Sequence, residues 1–268
     1  MHSSEPVGVF DSGIGGLTVA RAIHKLIPNE QLIYFGDTAH LPYGEKSAAA
    51  IQAYSVKIAD VLISEGCKVI VIACNSASSA AYELLKEYSG SKAKIINVID
   101  PMVDYVANHY PGQRVGLIGT KQTVNSNVYF KKLQDRKSNI DLVSLATPLL
   151  VPMIEEGFIH DKISHDIIFN YLDHKEFDDI ESLILGCTHY PLIKREIESF
   201  YNGKVKTLDS SEIVSEYLLK YLEENMITAT KSNEKNKFFV SDYTPSFEIL
   251  TNLFFGKEIH LEQYQLWE

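Results

Sequence analysis

Two cysteines occupy corresponding settings in the chain. Cys74 closes the apolar run Val71-Ile72-Ala73 and is followed by Asn75 and Ser76; Cys187 closes Leu183–Gly186 and is followed by Thr188 and His189. A thiol at a strand end, where the next helix starts, has its thiolate stabilised by the helix dipole and by unpaired backbone N–H groups. An unperturbed thiol titrates near about 8.5, so both protonation states are reachable around neutral pH. Such a group can take a proton in one direction and return one in the other. Two of them facing one pocket suit a proton exchange across the two faces of a single carbon, as inverting an amino acid at its α-carbon requires.

Other chemistries compete at the same residues. A free cysteine is most often a packed core residue. Cys187-Thr188-His189 has a Cys-x-His spacing that occurs in zinc sites, but no further cysteine is near it and the other donors are scattered, so no metal is expected. A nucleophilic Cys–His pair is the stronger rival, although one nucleophile needs no duplicate. A phosphatase-type loop from Cys74 would need Arg at position 80, which is Ala80. Cys67 ends a helical segment without polar neighbours and reads as packing.

Asp11 to Gly16, DSGIGG, is a glycine-rich turn after a strand. It is neither a dinucleotide fingerprint, since position 18 is Thr18, nor a P-loop, since no GK[ST] follows. Asp11 or Ser12 capping free N–H groups is one reading; a small-anion site with a carboxylate ready to share a proton is the other. Asp11 is placed to assist one thiol and His189 the other.

These clusters need strand ends to hold them. Val7–Phe10, Gln31–Phe35, Val69–Ala73 and Ile95–Ile99 read as strands, and Ser47 to Glu65 carries Ile51, Tyr54, Ile58, Val61 and Leu62 at helical spacing. Val115–Ile118, Leu142–Leu145, Leu183–Leu185 and Val205–Leu208 repeat the order. VFDSG from Val9 answers LIGTK from Leu117, and 63 residues separate Asp11 from Cys74 against 67 from Thr120 to Cys187. Alternating strands and helices predict parallel sheets, and the repeat points to two related α/β domains. Ser210 to Glu223 reads as an amphipathic helix, Thr228 to Lys237 as an exposed loop, Phe238–Val240 as a strand and Pro245 to Phe255 as a last helix. These pieces are too small to fold alone. The expected division is therefore residues 1–100 plus 210–268 for a discontinuous first domain and 101–209 for the second.

Composition narrows the class. The 268 residues carry 35 acidic and 25 basic side chains, a formal charge of −10. That argues against a nucleic-acid partner, which needs a basic surface, and against an anionic membrane. No apolar stretch approaches the roughly 20 residues that span a bilayer, and Met1 to Pro6 has none of the marks of a signal peptide. Three cysteines make no disulfide framework and fit a reducing cytoplasm.

The motifs FDSGIGGLTV (Phe10 to Val19), YFGDTAHLPYGEKS (Tyr34 to Ser47), ACNSAS (Ala73 to Ser78), PLLVPMIEEG (Pro148 to Gly157) and LGCTHYPL (Leu185 to Leu192) resemble, in order, those of the glutamate racemases. The resemblance runs from about Val7 to Asp209. It implies two pseudo-symmetric α/β domains with the active site in the cleft between them, and cofactor-independent interconversion of L- and D-glutamate, an isomerase activity that supplies D-glutamate for bacterial peptidoglycan. It casts Cys74 as the acid/base acting on D-glutamate and Cys187 as its partner acting on L-glutamate, with Asp11, Glu155 and His189 assisting. Substrate contacts would come from Asp11, Ser12, Tyr43, Gly44, Asn75, Ser76, Thr188 and His189, with Thr120 and Thr123 in addition. Ser76 stands where the family usually has threonine: the hydroxyl survives and a methyl is lost. Homodimers are common in the family, but the sequence gives no arrangement for one. An aspartate or related racemase, a Cys–His hydrolase using Cys187 alone, and a non-catalytic protein binding acidic amino acids are the alternatives. Lys and Arg are nearly absent from the motifs, Lys46 and Lys121 being nearest. The substrate carboxylates are thus expected to be held by backbone N–H groups and by neutral donors such as Ser12, Asn75, Ser76 and Thr188.

Overall fold

The computed structural model describes residues 2–231 and 235–267. Its strands form two wholly parallel sheets. The first has six strands: β1 (Val7–Asp11), β2 (Leu32–Gly36), β3 (Val69–Ile72), β4 (Lys94–Asn97), β9 (Lys237–Val240) and β10 (Glu262–Gln263), in the order β10-β9-β2-β1-β3-β4. The second has four: β5 (Arg114–Gly119), β6 (Asp141–Ala146), β7 (Ser182–Gly186) and β8 (Lys206–Asp209), in the order β6-β5-β7-β8. The pattern β2-β1-β3-β4 thus recurs as β6-β5-β7-β8. Cys74 follows β3 and Cys187 follows β7, so the two thiols leave topologically equivalent strands.

Burial on both faces explains why these strands read as continuous apolar runs. Successive side chains alternate between faces. Phe10, Ile33, Phe35, Ile70, Ile72 and Ile95 pack under α2 (Ala48–Ser64) and α3 (Asn75–Ser89). Their sequence neighbours Val7, Val9, Leu32, Tyr34, Val69 and Val71 face α1 (Leu17–Leu26), α4 (Ile99–His109), α10 (Ser210–Glu224) and α11 (Pro245–Phe255). That second core continues without a break through Val115, Leu117, Leu183 and Leu185, because α10 packs on α1 and α4 and also on β7 of the second sheet. The remaining helices, α5 (Lys121–Asn125), α6 (Val128–Asp135), α7 (Leu150–Glu155), α8 (Lys162–Leu172) and α9 (Lys194–Phe200), clothe the second sheet.

The parallel α/β class agrees with the sequence reading, and local differences have physical causes. The run Ile95–Ile99 is divided: Asn97 ends β4 and its carboxamide oxygen accepts from Ile99 and Asp100 N–H, capping α4. The stretch Thr228 to Lys237 is not wholly an exposed loop. Ala229 N–H donates to the buried Glu30 carboxylate at 2.7 Å, and Lys237 already belongs to β9; residues 232–234 lie outside those described. β10 has only two residues, too few for any sequence pattern, and joins the sheet through β9. Among the described residues no helix is long and apolar enough to cross a membrane.

Candidate functional site

All the carboxyl ends that carry the polar clusters converge on one cleft. From the first sheet it is lined by Ser12 and Gly13 after β1, by Leu41 to Gly44 after β2, and by Cys74, Asn75 and Ser76 after β3. From the second come Thr120 after β5, Val151 and Glu155 on α7, and Gly186 to His189 after β7. Of the residues singled out in the sequence, eleven line it. Asp11 and Thr123 do not, and stand one layer behind. Asp11 is fully buried beneath its loop and accepts from Gly13 N–H at 3.1 Å. Thr123 supports Thr120, their hydroxyls 3.1 Å apart.

Local sequence sets each side chain. Cys74 is the N-cap of α3, its sulfur accepting from Ala77 N–H at 3.4 Å and lying 3.6 Å from Ser12 Oγ. Thr120 caps α5 in the same way, accepting from Thr123 N–H. Its hydroxyl lies 2.8 Å from Ser76 Oγ, a bond that joins the two halves across the cleft. Asn75 accepts from Tyr129 OH at 2.8 Å, which leaves its buried NH₂ without a protein partner. Tyr43 donates its hydroxyl to Asp37 at 2.6 Å, so what its position offers the cleft is backbone. Val151 and Glu155, four residues apart on α7, share a helix face.

Two glycines allow the halves to meet. A methyl group at position 15 would overlap the His189 ring, and one at position 44 would stand 2.7 Å from Thr120 Cβ. Gly15 of DSGIGG and Gly44 of PYG are therefore steric clearances between the two halves. Thr18 adds a hydrogen bond across the same seam, donating to the Thr188 carbonyl at 3.0 Å.

The two sulfurs have different surroundings. Both are almost buried, 6% and 8% exposed for Cys74 and Cys187. Burial, reinforced by the Asp11 charge, pushes the Cys74 thiol up to about 12, although Ala77 N–H and Ser12 pull the other way. Burial also raises Asp11 above the usual carboxylate range, against the charge of His189 and the N–H groups of Gly16, Gly13 and Ser12. At the other sulfur, His189 Nδ1 lies 3.7 Å from Cys187 Sγ and its Nε2 lies 2.9 Å from Glu155 Oε1. Burial would lower His189, but the hydrogen bonds to Cys187 and Glu155 outweigh it and lift the imidazole to about 10. The ring packs edge-on against Phe254 of α11, with centroids 5.1 Å apart. At neutral pH the cleft therefore has a protonated thiol on one side and an imidazolium beside the other sulfur. A sulfur that gives up its proton at position 187 faces a cation.

Sequence reading missed Tyr34, whose hydroxyl donates to Gly13 O at 2.7 Å and shapes the first loop. A tyrosine in an otherwise apolar buried strand is the available signal, since its hydroxyl must find a partner. It also missed Val151 and Gly186 as lining residues; an apolar side chain and a glycine carry no chemical signature. Among the described residues the lining has no lysine or arginine, and Lys121 instead meets Glu45 at the half-exposed rim, 3.2 Å apart. No group of three or more His, Cys, Asp or Glu that could hold a metal occurs among the described residues.

Comparison with known proteins agrees with this geometry. Residues 15–218 match the family described as Asp/Glu/Hydantoin racemase. A glutamate racemase of Persephonella marina is 40% identical over 260 residues, covering 97% of each chain, and one of Chlorobium phaeobacteroides is 38% identical over 95% of this chain and 93% of that one. The crystal structure of a Francisella tularensis glutamate racemase in complex with D-glutamate superposes with a TM-score of 0.92 at 39% identity, over 99% of both chains. The chain belongs to the Asp/Glu/Hydantoin racemase family, together with the glutamate racemases.

Proposed function

We propose that the protein is a glutamate racemase that needs no cofactor, interconverting L- and D-glutamate by proton transfer between two thiols. One observation carries this reading: Cys74 and Cys187 leave equivalent strands and border one cleft. With L-glutamate bound, Cys187 Sγ as thiolate takes the α-proton from one face, and the negative charge it loses passes to the substrate. His189, held by Glu155, balances the sulfur's charge before that transfer. The Cys74 thiol then delivers its proton to the opposite face, giving D-glutamate. Cys74 is left as thiolate and regains a proton through Asp11 and solvent while Cys187 loses one. The reverse reaction exchanges the roles.

The carbanion is the difficult species, and its charge spreads into the α-carboxylate. Ser12, Asn75, Ser76 and Thr188, which line the cleft, would hold both carboxylates together with the N–H groups at the start of α3 and in the Tyr43–Gly44 turn. Preorganised dipoles in a cleft lined largely by buried groups stabilise developing charge without having to reorient. An amide NH₂ of Asn75 with no protein partner is the kind of donor such a substrate would engage. Thr120 and Thr123 act by orienting Ser76. In this reading residues 1–100 with 210–268 form one domain and 101–209 the other. The protein works in a reducing cytoplasm, which keeps its thiols free, and its product feeds peptidoglycan synthesis; a homodimer is compatible with it.

The test is incubation with L-glutamate in deuterated water without added cofactor, following optical rotation and α-deuterium together. Loss of rotation with deuterium entering the α-position is expected. An intact sample that gives neither signal contradicts the reading; one that acts only on aspartate moves it to another substrate of the same family. A Cys–His hydrolase would survive loss of Cys74, and a binding protein would hold glutamate without exchanging its proton.

A further inference from the structure

A fully buried carboxyl group beside the cleft has no part in the mechanism. Asp37 follows β2 by one residue and has no exposed surface. Such a group is costly unless its oxygens are met by donors. Four side chains meet it: Tyr43 OH at 2.6 Å, Ser241 Oγ at 2.7 Å, Trp267 Nε1 at 2.9 Å and His40 Nδ1 at 3.1 Å. They come from three separate stretches: the 38–45 turn, the end of β9, and the segment after β10. Only the first of these lines the cleft, through Leu41 to Gly44.

The segment that carries Trp267 is anchored independently of that turn. Tyr264 N–H donates to Val240 O at 2.8 Å, and the Tyr264 ring meets Phe35 and Phe239 edge-on. The indole then reaches back over the outside of the turn. It stands edge-on to His40 with centroids 4.4 Å apart and to Tyr54 at 5.3 Å, and Lys57 Nζ lies 5.0 Å above its ring. Ala39 N–H to Ser241 Oγ, and the exchange between Thr38 and Asp242, tie the start of the turn to the same wall.

We propose that Trp267 is a positioning residue for the substrate turn: its indole N–H fixes Asp37, and Asp37 fixes Tyr43 so that the Tyr43–Gly44 backbone faces the cleft. This rests on the reading of the cleft as a glutamate site. Neither sulfur nor His189 is in direct contact with Trp267 through any hydrogen bond or ring contact described. Loosening the turn therefore weakens substrate capture and leaves proton transfer nearly intact. Linkage makes the effect reciprocal: a ligand that orders the turn changes the surroundings of the indole. Trp267 is the only tryptophan in the sequence, so its emission reports on this segment alone.

The experiment has three arms. Trp267→Phe keeps a ring and removes the donor; KM for glutamate should rise about 5- to 10-fold with kcat within about twofold, the effect of losing one hydrogen bond to a charged group with some relaxation. In the wild-type protein, saturating D-glutamate should shift the Trp267 emission. Tyr43→Phe should shift the same emission with no ligand present. An unchanged KM, or a loss confined to kcat, overturns the proposal even where the wild-type protein racemises glutamate. Emission that neither D-glutamate nor Tyr43→Phe moves overturns it as well. If the wild-type protein exchanges no α-proton, the glutamate reading is what fails, and the Tyr43→Phe spectrum alone then decides the coupling. Should Trp267→Phe misfold, the wild-type titration and the Tyr43→Phe spectrum decide it in the same way.

Discussion

Replacing Glu155 by glutamine tests the asymmetry between the two sulfurs. The carboxylate lies 2.9 Å from His189 Nε2, and the imidazole is lifted to about 10 in spite of burial that works to lower it. Glutamine can still accept the hydrogen bond through its amide oxygen, but it carries no charge. Hydrogen bonds to charged groups are worth about 1.5–3 kcal/mol and neutral ones about 0.5–1.5. The difference, about 1–2 kcal/mol, corresponds to roughly a 5- to 30-fold loss of kcat/KM at about 1.4 kcal/mol per decade. The Glu155 side chain is about a quarter exposed, which favours the lower end of that range. Because L- and D-glutamate have equal free energies, kcat/KM must fall equally in both directions. The asymmetry appears instead in the kinetic isotope effect. Proton transfer at Cys187 becomes slower, so α-deuterated L-glutamate should show a larger isotope effect in Glu155→Gln than in the wild-type protein, with less change from D-glutamate. The sign with pH follows as well. A His with a raised pKa is cationic below that value and neutral above it, so the basic limb of the rate profile should move down from near 10 in the variant. Unchanged rates, or an isotope effect that grows only from the D side, would refute the assignment of Glu155 and His189 to Cys187.

Gly15→Ala places a methyl group against the His189 ring and 2.7 Å from nothing more yielding than the neighbouring Thr188 hydroxyl, so kcat/KM should fall by about 100-fold through misplacement; steady-state kinetics beside circular dichroism check this. Lys68→Met breaks a buried pair at the opposite end of the first sheet, where Lys68 Nζ meets Glu30 at 2.7 Å and the carbonyls of Ser3 and Ile227. Urea unfolding should show a loss of about 3–5 kcal/mol, with KM unchanged in the folded protein. Ser76→Thr keeps the hydroxyl that pairs with Thr120 and adds one methyl, so KM should change by less than about threefold.

Much of this arrangement was legible in the sequence because parallel sheets write themselves plainly. Val69–Ile72 and Ser182–Gly186 are short, largely apolar runs with their chemistry placed just beyond the end, and that ending sets Cys74 and Cys187 at equivalent points of the sequence. The limits of α11 could be read from Pro245 at its start and Gly256 after its end, the usual asymmetry of helix termini. Less visible were the contacts that depend on pairing distant segments. Nothing in GDTAHLPYG says that Asp37 meets Trp267, because 230 residues separate them. β10 is two residues long and forms only because β9 offers it an edge. The depth of Asp11 and Thr123 was hidden for a different reason: composition shows which side chains crowd a strand end, while the backbone path decides which of them reaches the cleft.

Removing each sulfur in turn is the most direct test of the two-thiol reaction. Cys74→Ala and Cys187→Ala, each folded by circular dichroism, should lose racemisation of L- and of D-glutamate by at least about 1,000-fold, since each lacks the acid or base for one face. If either variant turns over both enantiomers at near wild-type rates, proton exchange between two opposed cysteines is not how this protein works.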